Sequence, residues 1–326
     1  MTAETLALPP YGYMNSSYMW DVDTRRVPES FALGGRPATA LEWRAYVEQF
    51  VDDVADFLWP SYDFQTQTWC GAAQLKAMKL THADLDLMRT TLSPKLLEAV
   101  LVRPDDESSM CEVTHKSMFQ KEDEPTEPTL FAMLDLYLPT VPAAMLASLK
   151  NDSLNALGAF GPAPLRFKER MQRPRPYQVA FMFKRSDFSW ELAKSSMTPS
   201  IPSGHSLQAL IGFCSGYMAL RLELQDVAGA IDALQQYSVD FGDRRVFAGV
   251  HYPSDNIASW LCALKLCDHL FGEAGQVAKD FMCAAIAKSA VFIAMNAIRS
   301  AADSPYALPM QKLIDEMARA ASKTEP

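Results

Sequence analysis

Three short stretches of this chain hold residue types that suit a tetrahedral anion. In the first, Arg166, Lys168, Arg170, Arg173 and Arg175 place five cations within ten residues of a protein whose formal charge is -9. Pro174 and Pro176 bracket Arg175 and disfavour helix there, so Lys168 is expected on the last turn of a helix and Arg175 on its extended exit. Alone, this stretch also reads as a solvated basic turn. In the second, Ser203-Gly204-His205 stands before an apolar helical run from Leu207 to Leu222. A hydroxyl, free backbone N–H groups and the positive end of a helix dipole make an anion site, although Ser203 could equally be only a helix cap. In the third, Arg245 offers a rigid guanidinium fork, and Asp255 stands four residues after His251. That spacing lets the carboxylate fold back onto one imidazole nitrogen, fix the tautomer and aim the other nitrogen outward.

Taken together the stretches are more specific than any one alone. Their order is K-x6-R-P, then P-S-G-H, then R-x5-H-x3-D, with gaps of 25 residues (177–201) and 39 residues (206–244). This arrangement resembles the PAP2 superfamily of soluble bacterial acid phosphatases, lipid phosphate phosphatases and vanadate-dependent haloperoxidases. The resemblance runs from Lys168 to Asp255, roughly a quarter of the chain, and residues 1–130 carry none. It implies a helical fold and a metal-independent phosphatase acting on phosphate monoesters or diphosphates. It also implies the roles: Lys168, Arg175, Ser203, Gly204 and Arg245 bind phosphate, His251 is the nucleophile that forms a phosphohistidine, Asp255 orients it, and His205 protonates the leaving oxygen and then activates water. One position departs from the family pattern, which usually has serine before the third-stretch arginine; here it is Arg244, a further cation expected near the pocket. The alternatives are a vanadate-dependent haloperoxidase using the same pocket and a non-enzymatic helical interaction protein. His251-Tyr252-Pro253-Ser254-Asp255 resembles the phosphatase version of the motif. No cofactor is expected, vanadate only under the haloperoxidase reading, and the expected partner is a small phosphate ester. Because two histidines start in different protonation states, activity is expected to favour mildly acidic pH.

The rest of the chain must position these groups. An apolar fraction of 49% supports a large core, and the acidic balance argues against nucleic acid as a partner. Six sparse cysteines without a C-x-x-C pair suggest buried thiols rather than disulfides, and no Cys/His spacing suits zinc. Phe281–Ile298 carries Lys288, and Ile257–Phe271 is short and charged, so neither reads as a membrane span. The N-terminus lacks the pattern of a secretory leader, which points to a cytoplasmic protein, with periplasmic or secreted as the alternative. Exposed apolar helix faces would permit a homodimer.

Apolar spacing predicts an all-α bundle. Residues 1–36 read as an extended aromatic arm and 37–128 as a helical region, with an exposed acidic loop at 103–128. Residues 129–326 read as the catalytic helical core, expected to form one continuous domain with 37–128. Within this plan, Thr39 begins a capping box for a helix ending at Pro60, and Thr81 caps a short helix through Met88. Ser93-Pro94 begins another helix with Leu96, Leu97, Val100 and Leu101 on one face. Further helices are expected from Leu130 onward with breaks at Pro139 and Pro142, from Val227 to a stop near Gly242, and over 254–271, 275–299 and 306–322.

Overall fold

The computed structural model describes residues 30–33, 36–39, 58–59, 62–63, 68–69, 74–102, 113–122, 134–160, 163–191, 193, 196 and 198–321. The fold is all-α. Beside the helices stand only three two-stranded antiparallel pairs among the described residues: β1 (Ser30–Leu33) with β2 (Arg36–Thr39), β3 (Tyr62–Asp63) with β4 (Thr68–Trp69), and β5 (Val100–Val102) with β6 (Val113–Thr114). The expected arm at 1–36 lies outside the described residues except for β1 and Arg36, which belong to a hairpin. The helix expected after Thr39 also falls outside them, apart from Leu58 and Trp59 near its end.

Helices α1 (Gln74–Thr90) and α2 (His115–Glu122) precede the short α3 (Leu134–Tyr137). Then come α4 (Ala143–Phe160), α5 (Ala163–Met171) and α6 (Pro176–Met182). The centre is α7 (Gly204–Gln225), which packs most extensively on α4 and on α8 (Ala230–Phe247). Helix α9 (Pro253–Phe271) joins α7 to α10 (Gly275–Lys288), and α11 (Ala290–Ile298) and α12 (Ala307–Ala321) close the bundle. Leu207, Leu210, Ile211 and Phe213 of α7 are all fully buried. Each such side chain contributes about 1.5–3 kcal/mol on leaving water, so α7 is the core element on which the site loops hang.

Several boundaries differ from the sequence expectation for local reasons. Thr81 is not a cap: it lies inside α1, and its hydroxyl donates to the Ala77 carbonyl one turn back at 2.9 Å. Pro94–Glu98 is a 3-10 turn, and Val100 and Leu101 continue as β5 rather than as helix. Gly242 does not end α8, which runs on to Phe247. A Cβ there would lie 2.5 Å from Ser206 Oγ, so the glycine permits the close crossing of α7 and α8. The helix expected over 275–299 breaks at Ser289, whose extended backbone caps α11 while its hydroxyl donates to Asp243 at 2.7 and 2.9 Å.

The acidic stretch 103–128 is the largest correction. Its described part, 113–122, is strand and helix, with Met118, Phe119 and Glu122 buried. Those three residues share one helical face, and an arginine partner more than a hundred residues away neutralises Glu122. Cys214, Cys262 and Cys267 are buried free thiols, Cys283 is a partly buried one, and Cys70 and Cys111 lie outside the described residues. Among the described residues no single helix is long and apolar enough to cross a membrane.

Candidate active site

Lys168 sits in the last turn of α5, and the chain leaves through Arg173 and Pro174 to Arg175, whose extended backbone (φ −69°, ψ 155°) caps α6. Pro176 at the first helical position enforces that geometry. Both cations are buried and turned onto the segment before α7. The Lys168 ammonium donates to the Pro199 carbonyl and to the Ser200 carbonyl at 3.2 Å. Arg175 donates from Nε to the Thr198 carbonyl at 2.7 Å, from Nη2 to Thr198 Oγ1 at 3.2 Å and from Nη1 to the Val250 carbonyl at 2.6 Å. Its Nη1 also lies 2.8 Å from His251 Nε2.

That last contact fixes the state of His251. A guanidinium can only donate, so Nε2 accepts and the imidazole proton sits on Nδ1. Nδ1 then donates to Asp255 Oδ2 at 3.0 Å. The same oxygen accepts the Tyr252 N–H at 3.0 Å, because Tyr252 caps α9 and Pro253 occupies its first position. His251 therefore stands at the break between α8 and α9, held from below by its own i+4 carboxylate. Gly249 makes the break: its φ is +73°, and a Cβ would lie 2.9 Å from the Ser189 carbonyl and from Trp190 Cβ.

Ser203 caps α7, accepting the Ser206 N–H at 3.3 Å. The Ser203 N–H is taken by the Asp255 carbonyl at 3.4 Å, which ties the P-S-G-H loop to the start of α9. What this loop offers an anion is thus the Ser203 hydroxyl, the Gly204 N–H and the dipole of a 22-residue helix. His205, half-buried in the first turn, stacks on Phe241 with centroids 5.6 Å apart. The Arg245 guanidinium lies 5.9 Å from the centre of the same ring. Phe241 and Arg245 are one turn apart on α8, so a single face of that helix presents both to His205.

These groups lie close enough to perturb one another electrostatically. Burial first, and then Arg245, His251, Arg175 and Lys168, hold the His205 imidazole well below its usual range. His251 is depressed likewise, by burial first and then by Arg175, Lys168, Arg245 and Arg173. Burial and Arg175 push the Lys168 ammonium well down, and Asp255 pulls it back up. A set of crowded, buried cations is costly unless an anion joins them, and a tetrahedral oxyanion is such a guest. Among the described residues no group of three or more His, Cys, Asp or Glu gathers as a metal site.

Several residues of the site escaped the sequence reading. Arg173 donates from Nη1 to Asp255 Oδ1 at 2.7 Å and to Ser254 Oγ at 2.8 Å. From Nη2 it reaches Asp84 Oδ2 at 3.0 Å, and its guanidinium lies 3.8 Å over Tyr252 and 4.8 Å over Trp59. Asp84 also accepts from Ser254 Oγ and from Tyr306 Oη. Arg173 is one of the five cations of the first stretch, and nothing in the sequence distinguishes its role from that of its neighbours. Arg244, expected as a further cation near the pocket, is instead tied to Glu122, with Nε at 3.1 Å from Oε2 and Nη2 bonded to Oε1. Glu122 thus holds Arg244 on the α2 side of α8, where the same carboxylate also lies 3.5 Å from Arg245 Nη2.

The fold is all-α, and it gathers two depressed imidazoles with several buried lysine and arginine side chains. Residues 153–268 match the family model of the PAP2 superfamily. The match encloses every candidate site residue, from Lys168 to Asp255. No curated protein matches the chain.

Proposed function

We propose that this protein is a metal-independent phosphatase that hydrolyses phosphate monoesters or diphosphates through a phosphohistidine on His251. The superfamily match supports phosphatase-type activity; the mechanism is read from the side chains. The observation that carries it is the pair of contacts on one imidazole, Nδ1 to Asp255 Oδ2 at 3.0 Å and Nε2 to Arg175 Nη1 at 2.8 Å. The nitrogen that must attack is unprotonated and already faces a guanidinium of the anion pocket.

In the first step Nε2 attacks phosphorus and the bond to the leaving oxygen breaks. His205, entering as imidazolium, gives that oxygen its proton. In the second step neutral His205 takes a proton from water, the water oxygen attacks phosphorus, and the P–N bond breaks to release phosphate and restore His251. Asp255 stabilises the positive imidazole of the intermediate. Arg175, Lys168 and Arg245 hold the charge on the transferring group, aided by the Ser203 hydroxyl and the Gly204 N–H. Such electrostatic positioning is the main source of catalysis in phosphoryl transfer.

The test is an activity screen over a panel of phosphate esters, with a vanadate, bromide and peroxide assay on the same sample. Phosphate release abolished by His251→Ala, with a trapped phosphohistidine in the unaltered enzyme, supports the proposal. Halide oxidation without ester hydrolysis would replace it with the haloperoxidase reading.

A further inference from the structure

Arg245 leaves α8 toward α2, and two residues of α2 meet it. The guanidinium lies 4.5 Å over the Phe119 ring, and its Nη2 is 3.5 Å from Glu122 Oε2. The same oxygen accepts Arg244 Nε at 3.1 Å. Phe119 and Glu122 are three residues apart and face the same way. One helix therefore contacts the planar fork on its face and at its edge. Arg244, Arg245 and Glu122 are all fully excluded from solvent at their side chains.

We infer that α2, through Phe119 and Glu122, sets the position of Arg245 in the oxyanion pocket, with Arg244 fixing Glu122 in turn. Phe119, Glu122 and Arg244 are positioning residues: they act on the substrate only through Arg245. The arrangement gives Arg244 a purpose at a position where the PAP2 pattern usually has serine. It also gives a segment outside the 153–268 match a part in the site. The inference rests on Arg245 being an oxyanion ligand, as in the function proposed above.

The physical basis is rotamer entropy. An arginine side chain loses rotamer freedom when immobilised, and a guanidinium held before the substrate arrives need not lose it on binding. The aromatic face restrains the plane of the fork, and the carboxylate restrains its rotation within that plane.

The test uses the full-length protein with inorganic orthovanadate as the probe, titrated by calorimetry, beside steady-state hydrolysis of p-nitrophenyl phosphate. The double variant Glu122→Leu with Arg244→Met removes one negative and one positive charge together, so the local net charge near Arg245 is unchanged. Replacing a buried ion pair by apolar residues is often neutral for stability. The expected result is a melting temperature close to that of the parent, with vanadate affinity weakened and KM raised by roughly tenfold to a hundredfold. A purely structural pair would lower the fraction of active protein, and so kcat per total protein, and leave KM and vanadate affinity alone.

Unchanged vanadate binding in the folded double variant overturns the inference. If that variant does not fold, Phe119→Leu removes the aromatic face while leaving the ion pair intact. A several-fold loss of vanadate affinity then supports the inference and unchanged affinity overturns it. Parent protein that binds neither vanadate nor inorganic phosphate would sink the oxyanion pocket itself, an outcome distinct from failure of the clamp alone.

Discussion

Arg173 Nη1 lies 2.7 Å from Asp255 Oδ1, so the carboxylate that holds His251 is itself held. The other oxygen of Asp255 serves His251 and the Tyr252 N–H. Arg173 is fully buried, and its second arm reaches Asp84, so one guanidinium bridges two buried carboxylates. Arg173→Lys puts a point charge where a flat fork is required. Breaking such a buried network costs about 3–5 kcal/mol, and loss of stability in this range is expected in urea unfolding. In whatever fraction stays folded, kcat should also fall, because Asp255 can then rotate away from the imidazole.

Asp84 gives the same network a pH signature. Burial pushes its carboxyl up from 3.8 to about 6, although Arg173, Ser254 and Tyr306 pull it down. A folded-state value above the unfolded one means the folded protein binds the proton more tightly. The contribution of Asp84 is therefore fully present below about pH 4 and is lost as pH rises toward 6 and beyond. Asp84→Asn should remove this slope. Stability of the parent relative to the variant should fall by on the order of 3 kcal/mol between pH 4 and pH 7, and then level off. Urea unfolding of both proteins at unit pH steps measures it, and a difference independent of pH would disprove it.

Which parts of this site could be read from the chain follows from how far each interaction reaches. The Asp255–His251 bond spans four residues, and the Ser203 cap and Lys168 at the end of α5 depend on a few neighbours, so their spacing is visible. Arg173 with Asp84 spans 89 residues, Arg244 with Glu122 spans 122, and Tyr306 with Asp84 spans 222. No periodicity records such pairs. A carboxylate destined for a buried arginine looks the same in sequence as one in a solvated loop, and this is why 103–128 read as wholly exposed. Gly242 misled for a related reason: a glycine that admits a neighbouring helix has the same local signature as one that ends its own.

Gly249 separates backbone strain from catalytic position. Its φ is +73° and a Cβ would press on Ser189 and Trp190, two residues before His251. Gly229, with φ +76° and open space around its missing Cβ, is the control. The left-handed region costs a non-glycine residue about 1–2 kcal/mol, so both alanine variants should melt earlier. Only Gly249→Ala should also lower kcat, by about tenfold to a hundredfold, because relief of its clash moves the loop that carries the proposed nucleophile. Equal kcat in the two variants would mean that the loop yields without moving His251.

Orthovanadate should inhibit hydrolysis competitively, since its shape approximates the five-coordinate phosphoryl group that Arg175, Lys168 and Arg245 would stabilise. A chelator should leave turnover unchanged under the same conditions. Initial rates over a grid of substrate and vanadate concentrations test the first point, and noncompetitive inhibition would place vanadate elsewhere. A large loss of activity with chelator, restored by added metal, would remove the metal-independent mechanism.

In the proposed mechanism the acidity of His205 governs the pH profile. As general acid it must carry a proton in the free enzyme, yet burial and then Arg245, His251, Arg175 and Lys168 depress its imidazole well below the usual range. The active form is therefore favoured as pH falls, and kcat/KM should decline on the alkaline side from an acidic optimum. Arg245 exerts the largest electrostatic push on His205, second only to burial. Arg245→Gln removes a positive charge, which makes the imidazolium easier to form and raises its pKa. The variant should be much slower, but its alkaline limb should move to higher pH, as judged by kcat/KM for p-nitrophenyl phosphate between pH 3.5 and 8. A limb that stays in place while activity drops would assign the titration to a group other than His205.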